Sequence, residues 1–336
     1  MPTSYSLIVA ALGGILLSFL LVLDCNLTLF MYDAWFHTTT NLNHAFGHKR
    51  ILLTGASSGL GAAMARQLCT SVPSSHLILV ARRKDKLEEV ASTCPGQVMI
   101  VPLDVAGNET EATMQKIVND VGGIDLLILN AGKFIEKQTL EVDTEQSRHI
   151  LELNLMANIR IASAVMKLDH WDTKDGGGHI VVTSSLAGRL GTPVSAAYAA
   201  AKHALHGYFA SLRAEMAPSQ LRVDIVCPGP IDTDIFSASD RPDDKKSIPL
   251  TIPGSLMKTE RASRLMLSAM MGKPEFLFRE TWVARGISLA VIYLGQYAPH
   301  LYGFVSMILD PVIMEAYVDG QGFGGWGIFK RLLPRG

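Results

Sequence analysis

The chain has 336 residues, with 30 basic and 31 acidic side chains and a formal net charge of −1. This near-neutral charge, without a basic stripe that carries interleaved aromatic residues, gives no reason to expect nucleic-acid binding, and the length suffices for a large hydrophobic core. The four cysteines, Cys25, Cys69, Cys94 and Cys227, show no CxxC or metal-ligand spacing, so no metal site is predicted. Cys69 and Cys227 stand in apolar contexts, which predicts that they are buried hydrophobic residues.

The N-terminal segment is strongly apolar. Residues 5–23 contain no charged side chain, and this length is close to that needed to cross a bilayer. We predict a single membrane anchor in residues 1–25, followed by a linker in residues 26–47. The alternative is a cleaved signal peptide, but no Lys or Arg precedes the apolar run and no small-x-small cleavage site follows it. The nearest downstream basic residues lie too far away to indicate the orientation.

The central part of the chain alternates between apolar runs and helical segments. Strands are predicted near residues 50–54, 76–81, 97–103, 124–129, 178–184 and 221–227. Continuous apolar runs that alternate with helices indicate a parallel sheet buried on both faces. We therefore predict one doubly wound α/β domain, a Rossmann fold, over residues 48–280.

The first predicted strand runs directly into a glycine-rich turn, GASSGLG at residues 55–61, which is followed by a helix. Gly55 permits a tight turn, Gly59 allows the backbone to approach a pyrophosphate, and Gly61 allows close helix packing. The N-terminus of the following helix offers free N–H groups and a positive dipole end. This arrangement predicts a dinucleotide cradle; a glycine-rich turn without a ligand is the alternative.

The second predicted strand ends in Ala81, Arg82 and Arg83. An acidic residue at this position would bind the 2′-hydroxyl of NAD, whereas two guanidinium groups suit a 2′-phosphate through charge-assisted bonds. The sequence therefore favours NADP(H) over NAD(H). The alternative is that both arginines belong to the solvated face of the next helix.

A hydroxyl, a phenol and an ammonium group are predicted to meet further along the chain. Tyr198 and Lys202 are four residues apart and share one face of a helix, and Ser185 follows a predicted strand. A phenol with a free pKa of about 10 must be brought toward neutral pH to exchange protons, and the adjacent cation favours the phenolate. Ser185 would donate to a carbonyl oxygen that gains negative charge as hydride arrives. The set predicts a carbonyl reduction site.

Together these motifs resemble the classical short-chain dehydrogenase/reductase family from about residue 48 to residue 235. Asn130-Ala131-Gly132 after the fourth strand, Asn154 within ELNL, and Pro228-Gly229 also match the family pattern. Leu129 departs from it, because many members have a second asparagine there, and this puts a strand-capping hydrogen bond in doubt. Segments at 24–35, 257–267 and 293–299 resemble a membrane-bound subgroup of reductases, which implies the endoplasmic reticulum.

The resemblance implies a role for each site residue. Tyr198 would be the general acid in reduction, Ser185 would hold the substrate oxygen, and Lys202 would bind the nicotinamide ribose and tune Tyr198. Asn154 would hold a water that links Lys202 to solvent. Thr233 would contact the nicotinamide carboxamide, and Asp104-Val105 would contact adenine, although an ordinary strand-end aspartate is the alternative for Asp104. The further cofactor contacts implied by the family pattern are Ser57, Ser58, Leu60, Asn130, Ala131, Gly132, Pro228, Gly229 and Ile231.

The C-terminal region is unusually apolar. Residues 287–309 are mostly apolar and aromatic but are interrupted by Gln296, Pro299 and His300, which argues against a membrane span. We predict that residues 281–336 form a membrane-associated or substrate-entrance segment; a buried helix pair or a dimer contact is the alternative. Residues 231–257 lie where the family places its substrate lid.

These observations predict an NADPH-dependent reductase that converts the carbonyl of a lipophilic substrate, such as a steroid, a retinoid or an aromatic carbonyl compound, to an alcohol. The anchor and the apolar C-terminus support the lipophilic class. The alternatives are an NAD-dependent alcohol dehydrogenase that runs in the oxidative direction and a cofactor-binding scaffold without turnover. The intact set of Ser185, Asn154, Tyr198 and Lys202 favours the enzyme. A homodimer is implied by the family resemblance alone.

Overall fold

A seven-stranded parallel sheet forms the centre of the computed structural model, which describes residues 39–168, 178–219, 221–233, 256–271 and 280–318, together with Cys25, Leu29, Asp33 and Trp35. Two short strands pair with each other, separately from the main sheet. In chain order the strands are β1 (Arg50–Thr54), β2 (His76–Ala81), β3 (Gln97–Pro102), β4 (Leu126–Leu129), β5 (His179–Thr183), β6 (Arg222–Pro228), β7 (Ile231–Asp232), β8 (Met257–Lys258) and β9 (Glu280–Val283).

Ten helices are described, and most of them connect the strands. They are α1 (Thr39–Phe46), α2 (Gly59–Ser71), α3 (Lys84–Ala91), α4 (Thr110–Val121), α5 (Thr144–Leu151), α6 (Ala157–Met166), α7 (Ala196–Glu215), α8 (Thr259–Met271), α9 (Ile287–Tyr297) and α10 (Pro299–Val318). A single π-helical turn, Glu152–Met156, joins α5 to α6.

Burial on both faces of the sheet explains the continuous apolar strands. Along β1, Ile51 and Leu53 belong to one buried cluster and Leu52 to the other, because successive side chains of a strand point to opposite faces. Helices α2 and α8 contribute to the first cluster, and helices α4, α6 and α7 contribute to the second. The predicted Rossmann-type parallel sheet is therefore confirmed.

The strand order places the functional site. The order is β3-β2-β1-β4-β5-β6-β9, so the direction of winding reverses between β1 and β4. In open α/β sheets, the crevice beyond the carboxyl ends of the strands at such a reversal is where ligands bind. The ends of β1, β4, β5 and β6 all carry residues that the sequence analysis selected.

The last strand of the sheet was not predicted. β9 pairs in parallel with β6 from Ile225 opposite Glu280 to Pro228 opposite Val283. It begins at the residue where the predicted domain boundary falls. Its four residues follow a segment outside the described residues and carry Glu280 and Thr281, so no apolar run marked it.

The prediction of a single-pass membrane protein of the endoplasmic reticulum was wrong. Among the described residues, no helix is both long enough and apolar enough to cross a bilayer. The two 20-residue helices, α7 and α10, each contain charged side chains, among them Lys202 in α7 and Asp310 in α10. The predicted anchor at residues 5–23 lies outside the described residues.

Two further features differ from the expectations. Cys69 forms a disulfide with Cys94, which joins α2 to the turn after α3, so Cys69 is not simply a buried hydrophobic residue. Cys227 is a buried free thiol, as predicted. The region predicted to be a linker, residues 26–47, also contacts the core. Within it, α1 packs on the core through Leu42 and Phe46.

Asp33 of the same region is also buried. It accepts hydrogen bonds from Arg261 at 2.6 Å and from Ser268 at 2.6 Å.

Candidate active site

Ser185, Tyr198 and Lys202 meet at the carboxyl end of β5. Ser185 stands just beyond that strand and accepts a hydrogen bond from the Ala187 backbone N–H at 3.2 Å, which fixes the turn. Tyr198 and Lys202 lie one turn apart on α7, and Tyr198 lies close enough to Ser185 for the hydroxyl to affect the pKa of the phenol. The Lys202 Nζ lies 5.6 Å from the centre of the Tyr198 ring. The predicted set is therefore brought together.

These three residues line a cavity of about 710 Å³ that also contains the glycine turn. All the predicted site residues but Gly61 line this cavity. They are Gly55, Ser57, Ser58, Gly59, Leu60, Arg82, Arg83, Asp104, Val105, Asn130, Ala131, Gly132, Asn154, Ser185, Tyr198, Lys202, Pro228, Gly229, Ile231 and Thr233. Gly61 lies behind the turn, where a Cβ would collide with the carbonyl oxygen of Gly55.

The Tyr198 phenol is buried, and burial sets its proton affinity. Only 8% of the residue is exposed, and its ring packs edge-to-face on Phe134 with centroids 5.1 Å apart. Burial raises the pKa of Tyr198 to about 12, and the hydrogen bond with Ser185 opposes that rise. In the cofactor-free chain, burial outweighs the lowering of this pKa that was expected from Lys202. Tyr198 is consequently a protonated phenol at neutral pH, which is the form that can donate a proton.

Lys202 is buried in the same wall. Its Nζ donates a hydrogen bond of 2.8 Å to the backbone carbonyl of Thr183, the last residue of β5. Burial lowers the pKa of Lys202 to about 8, because removing the ammonium from water disfavours its charged form. The ammonium group is thus held at a defined position between the sheet and Tyr198, at an energetic cost that the free chain bears.

Asn154 lies within the π-helical turn and is fully buried. Its side-chain amide donates to the carbonyl of Lys133 at 2.9 Å and to that of Ile150 at 3.0 Å, and its oxygen accepts from the Lys133 N–H at 3.2 Å. These bonds fix the loop that follows β4. The loop passes so close that a Cβ at Gly132 would lie 2.6 Å from the Asn154 Oδ1.

The glycine turn has the backbone shape that a dinucleotide cradle requires. Gly55 has a φ of +70° and Gly59 a φ of +52°, which are left-handed conformations that favour glycine. The Thr54 hydroxyl accepts hydrogen bonds from the N–H groups of Asn130 at 2.9 Å and Ala131 at 3.0 Å, and this ties β1 to the end of β4. Leu129, which departs from the family pattern, is buried in the apolar core.

The end of β2 presents the two arginines at one edge of the cavity. Arg83 donates from Nη2 to the hydroxyl groups of Ser58 at 2.8 Å and Ser57 at 3.2 Å, so it reaches back to the glycine turn. Arg82 is exposed beside it, and Asp104 lies at the neighbouring strand end, where its Oδ1 accepts from the Ala106 N–H at 3.1 Å. The residues therefore fit a nicotinamide dinucleotide whose pyrophosphate would meet the glycine turn.

Behind the site lies a polar network that the sequence analysis missed. The His206 Nε2 is 3.0 Å from the Ser184 hydroxyl, and its Nδ1 is 3.4 Å from the Glu280 carboxylate. Arg189 donates to Glu280 through two guanidinium nitrogens, and the Trp282 indole adds a third bond. These bonds, together with His206, hold the pKa of Glu280 well below its usual range. No local sequence pattern predicts this network, because its members come from elements that are distant along the chain.

The position of Cys227 beside this network raises the question of a metal. Potential ligand atoms of His206, Cys227 and Glu280 lie within 4.8 Å of one another. The Glu280 carboxylate, however, already accepts a hydrogen bond from Arg189. Burial also raises the pKa of the Cys227 thiol well above its usual value. Because a metal binds the thiolate, these three residues are better described as a protein network that supports the Ser184-Ser185 segment.

Helices α9 and α10 form the remaining wall. The cavity-lining residues from α9 are Ser288, Val291, Ile292 and Leu294, and those from α10 are Tyr302, Val305, Ser306, Leu309, Asp310 and Ile313. Apolar side chains from the other side, including Phe134, Leu153 and Leu190, face the same space. The cavity thus extends from the glycine turn past Tyr198 to a C-terminal helix pair.

Comparisons with known proteins agree with this architecture. A family profile described as short chain dehydrogenase matches residues 49–244. "Dehydrogenase/reductase SDR family member 7" of Homo sapiens is 32% identical over 280 residues, which cover 80% of each chain. "Hydroxysteroid 11-beta-dehydrogenase 1-like protein A" of Xenopus laevis is 31% identical over 290 residues, which cover 83% of this chain and 92% of that protein. The similarity to member 7 agrees with the resemblance of the flanking segments to one group of reductases.

Among solved structures, the chain is similar to an alcohol dehydrogenase from the archaeon Thermococcus sibiricus in complex with 5-hydroxy-NADP. The TM-score is 0.58 with 24% identity, and the match covers 70% of this chain and 96% of that one. At this identity the likeness supports the fold alone, whereas the family profile covers more than half of the chain. The chain therefore belongs to the short-chain dehydrogenase/reductase family, whose oxidoreductases interconvert alcohols and carbonyl groups with a nicotinamide cofactor.

Proposed function

We propose that this chain is an NADPH-dependent reductase that converts the carbonyl group of a lipophilic substrate to an alcohol. The observation that carries the proposal is that Ser185, Tyr198 and Lys202 line the same cavity as the glycine turn, with the Lys202 Nζ 5.6 Å from the centre of the Tyr198 ring. A proton donor and a dinucleotide cradle that share one cavity are the two parts that carbonyl reduction needs.

The chain's own residues would position the carbonyl and supply the proton. When bound, the nicotinamide supplies the hydride that the carbonyl carbon accepts. The hydroxyl groups of Ser185 and Tyr198 would donate hydrogen bonds to the carbonyl oxygen as it gains negative charge. Tyr198 then transfers its proton to that oxygen, which becomes the alcohol hydroxyl, and a phenolate remains. The protonated phenol of the free chain is the starting state for this direction.

Lys202 and Asn154 would support that transfer. A nearby ammonium stabilises the phenolate, and its own buried position keeps this interaction strong because little water screens it. Lys202 would also hold the nicotinamide ribose. Asn154 fixes the loop at Gly132 beside Lys202, and a water held there would link Lys202 to solvent for the return of a proton to Tyr198.

The preference for NADPH rests on Arg83 and Arg82. Arg83 already spans from the end of β2 to Ser57 and Ser58, so three donor side chains cluster where a 2′-phosphate would lie. A phosphate accepts several charge-assisted hydrogen bonds, whereas a 2′-hydroxyl uses few of these donors. NAD(H) therefore remains the second candidate.

The lipophilic class of substrate rests on the cavity wall. The side chains of Val291, Ile292, Leu294, Val305, Leu309 and Ile313 line the space beyond Tyr198. Steroids, retinoids and bulky aromatic carbonyl compounds match such a wall, since their apolar surface leaves water on binding. The hydroxysteroid name of one relative points in the same direction.

The test compares NADPH and NADH oxidation by the purified chain against steroid, retinoid and aromatic carbonyl compounds. Tyr198→Phe removes the proton donor and keeps the buried ring, so we expect kcat to fall about 10²-fold or more, with NADPH binding unchanged. Tyr208→Phe on the same helix is the matched control, because Tyr208 is 37% exposed and does not line the cavity. It should retain full activity.

Each result has a definite meaning. Turnover that prefers NADPH and disappears in Tyr198→Phe supports the reductase. Turnover with the same rate in Tyr198→Phe would refute the assigned proton donor. NADPH binding without turnover on any carbonyl or alcohol would favour a cofactor-binding scaffold. Alcohol oxidation with NAD at a rate equal to that of carbonyl reduction with NADPH would favour the dehydrogenase alternative.

A further inference from the structure

Helix α10 places three polar side chains on its cavity side and four large apolar side chains on its outer side. Tyr302, Ser306 and Asp310 line the cavity. On the opposite side, the large apolar residues Leu301, Phe304, Met307 and Ile308 are 45–65% exposed. A surface helix normally shows the reverse arrangement, with polar residues toward water and apolar ones toward the protein. The partly buried polar residues therefore face the space that a ligand of this cavity would occupy.

These polar residues form a continuous row. Tyr302, Ser306 and Asp310 are spaced four residues apart, so they follow one another along the same face of the helix. The rise per residue places the first about 12 Å from the last along the helix axis. A parallel row of Val305, Leu309 and Ile313 lines the cavity next to it. The wall thus offers one apolar strip and one polar strip to the same ligand.

The polar row has unused hydrogen-bonding capacity. Within the part of the chain that the structure describes, no side-chain hydrogen bond or ion pair involves Tyr302, Ser306 or Asp310. Partial burial raises the pKa of Asp310, and no cation opposes that rise. A partly desolvated carboxylate without a partner is unfavourable, and a ligand that donates a hydrogen bond to it would relieve this cost.

We propose that Asp310, together with Ser306 and Tyr302, binds a hydrogen-bond-donating group of the substrate at a position remote from its reacting carbonyl. This inference rests on the proposed reductase function and specifies its substrate class. The substrates are carbonyl compounds with an apolar body and a second polar end that carries a hydroxyl or an ammonium group. An anionic end group is disfavoured by the Asp310 carboxylate.

The remote position follows from where the catalytic groups stand. The reacting carbonyl must contact Ser185 and Tyr198, which belong to the end of β5 and to α7. Helix α10 contributes none of the catalytic residues, and its cavity face is shared with Val305, Leu309 and Ile313. A ligand whose carbonyl is held by Tyr198 would therefore meet the row of α10 with another part of its structure.

The experiment uses aryl ketones of equal length that end in a hydroxyl, an ammonium, a methyl or a carboxylate group. Initial rates with NADPH give kcat/KM for the wild type, Asp310→Asn and Asp310→Leu. Glu315→Gln is the matched control, because Glu315 is an exposed acid on the same helix and does not line the cavity. The isosteric Asp310→Asn guards against a folding defect in the leucine variant.

For the wild type we expect kcat/KM for the hydroxyl and ammonium probes to exceed that for the methyl probe by about tenfold, with the carboxylate probe the poorest, because a site built for a donor rejects analogues that lack it. Asp310→Asn should lose the ammonium preference, and Asp310→Leu should favour the methyl probe. Glu315→Gln should behave as the wild type. The same ratios in wild type and Asp310→Leu would overturn the inference while the reductase function stands.

A binding measurement separates this inference from the proposed function. If the wild type reduces none of the probes, the reductase proposal fails for this class, and the inference is then decided by thermal shift of the NADPH-saturated protein. Stabilisation by the ammonium probe that is lost in both Asp310 variants, together with stabilisation by the hydroxyl probe that is lost in Asp310→Leu, would support the row as a binding site. Equal stabilisation by all probes in every variant would refute it.

Discussion

The Lys202 Nζ donates a 2.8 Å hydrogen bond to the backbone carbonyl of Thr183, and this bond joins α7 to the end of the central sheet. The pair is buried, since Lys202 is 4% exposed and Thr183 is 8% exposed. The ammonium group is therefore held in place by the fold before any cofactor arrives. Its position carries an energetic cost, because burial lowers the pKa of Lys202 to about 8.

This cost predicts a pH-dependent stability in the cofactor-free chain. The pKa of Lys202 is about 8 when folded and 10.5 when unfolded, so between these values the unfolded chain binds more protons and stability rises with pH. From pH 7 to pH 9.5 the contribution of Lys202 to the free energy of unfolding should increase by about 2 kcal/mol. Urea denaturation at both pH values measures this.

The control for that measurement is a variant pair. Lys202→Met lacks the titrating group and should lose the increase, whereas Lys116→Met, at an exposed position on α4, should keep it. The same pH dependence in wild type and Lys202→Met would show that the ammonium is not the source.

Gly132 should not tolerate a side chain. The Cβ of Gly132→Ala would lie 2.6 Å from the Asn154 Oδ1, so Asn154 must move and its bonds to Lys133 must weaken. We expect kcat/KM to fall at least about tenfold and the free energy of unfolding to fall by about 1–3 kcal/mol. Steady-state kinetics and chemical denaturation test both values.

Gly207→Ala is the matched control for Gly132→Ala. Position 207 lies in α7, and a Cβ there meets no heavy atom of the described residues within 4 Å. Alanine is the better helix former, so this variant should be more stable by up to about 1 kcal/mol, with unchanged activity. Equal behaviour of the two variants would contradict the argument from close contact.

Arg83 should determine the choice of cofactor. Arg83→Ala removes the guanidinium that spans to Ser57 and Ser58. The dissociation constant for NADPH should rise about tenfold or more, and that for NADH should stay nearly constant, because only NADPH carries the 2′-phosphate. Isothermal titration gives both constants. Lys84→Ala is the control, since Lys84 is an exposed residue next to Arg83 and its Nζ lies 3.6 Å from the Glu88 Oε1. An equal loss for both cofactors would contradict this assignment.

The disulfide between Cys69 and Cys94 should raise the free energy of unfolding of the domain. It closes a segment with a sequence separation of 25 residues. The chain-entropy relation gives a contribution of about 3.5 kcal/mol for a loop of this size. Oxidised wild type should therefore unfold at higher denaturant concentration than Cys69→Ala/Cys94→Ala.

A reductant tests the origin of that difference. Dithiothreitol should lower the free energy of unfolding of the wild type. It should lower that of Cys227→Ala equally, because Cys227 is a buried free thiol that takes no part in the disulfide. The double variant should not respond. A wild type that is insensitive to reductant would mean that the bond does not contribute.

The sequence predicted the strands and turns whose signals are local. The apolar runs of β1, β2 and β6, the glycine turn at Gly55 and the spacing of Tyr198 and Lys202 each lie within a short stretch of chain. Local spacing determines which side chains share a helix face or which turn a strand can enter. For this reason the parallel sheet and the grouping of the predicted site residues could be anticipated.

The relationships that join distant segments were not anticipated. The short strand β9 has no apolar run, and it brings Glu280 next to His206 and Arg189. The partner of Cys69 likewise depends on how α3 turns toward α2. The row of Tyr302, Ser306 and Asp310 had a periodic signal, but only the packing of α10 on the cavity shows that this row faces inward.

The sequence by itself determined the family, the order of the strands along the chain and the residues that we propose as reacting groups, because these depend on residue types at fixed spacings. The tertiary structure decided the protonation of Tyr198 and Lys202, the network behind Ser184 and the polar row on α10. Burial and non-local contact set those properties, and neither can be read from neighbours along the chain.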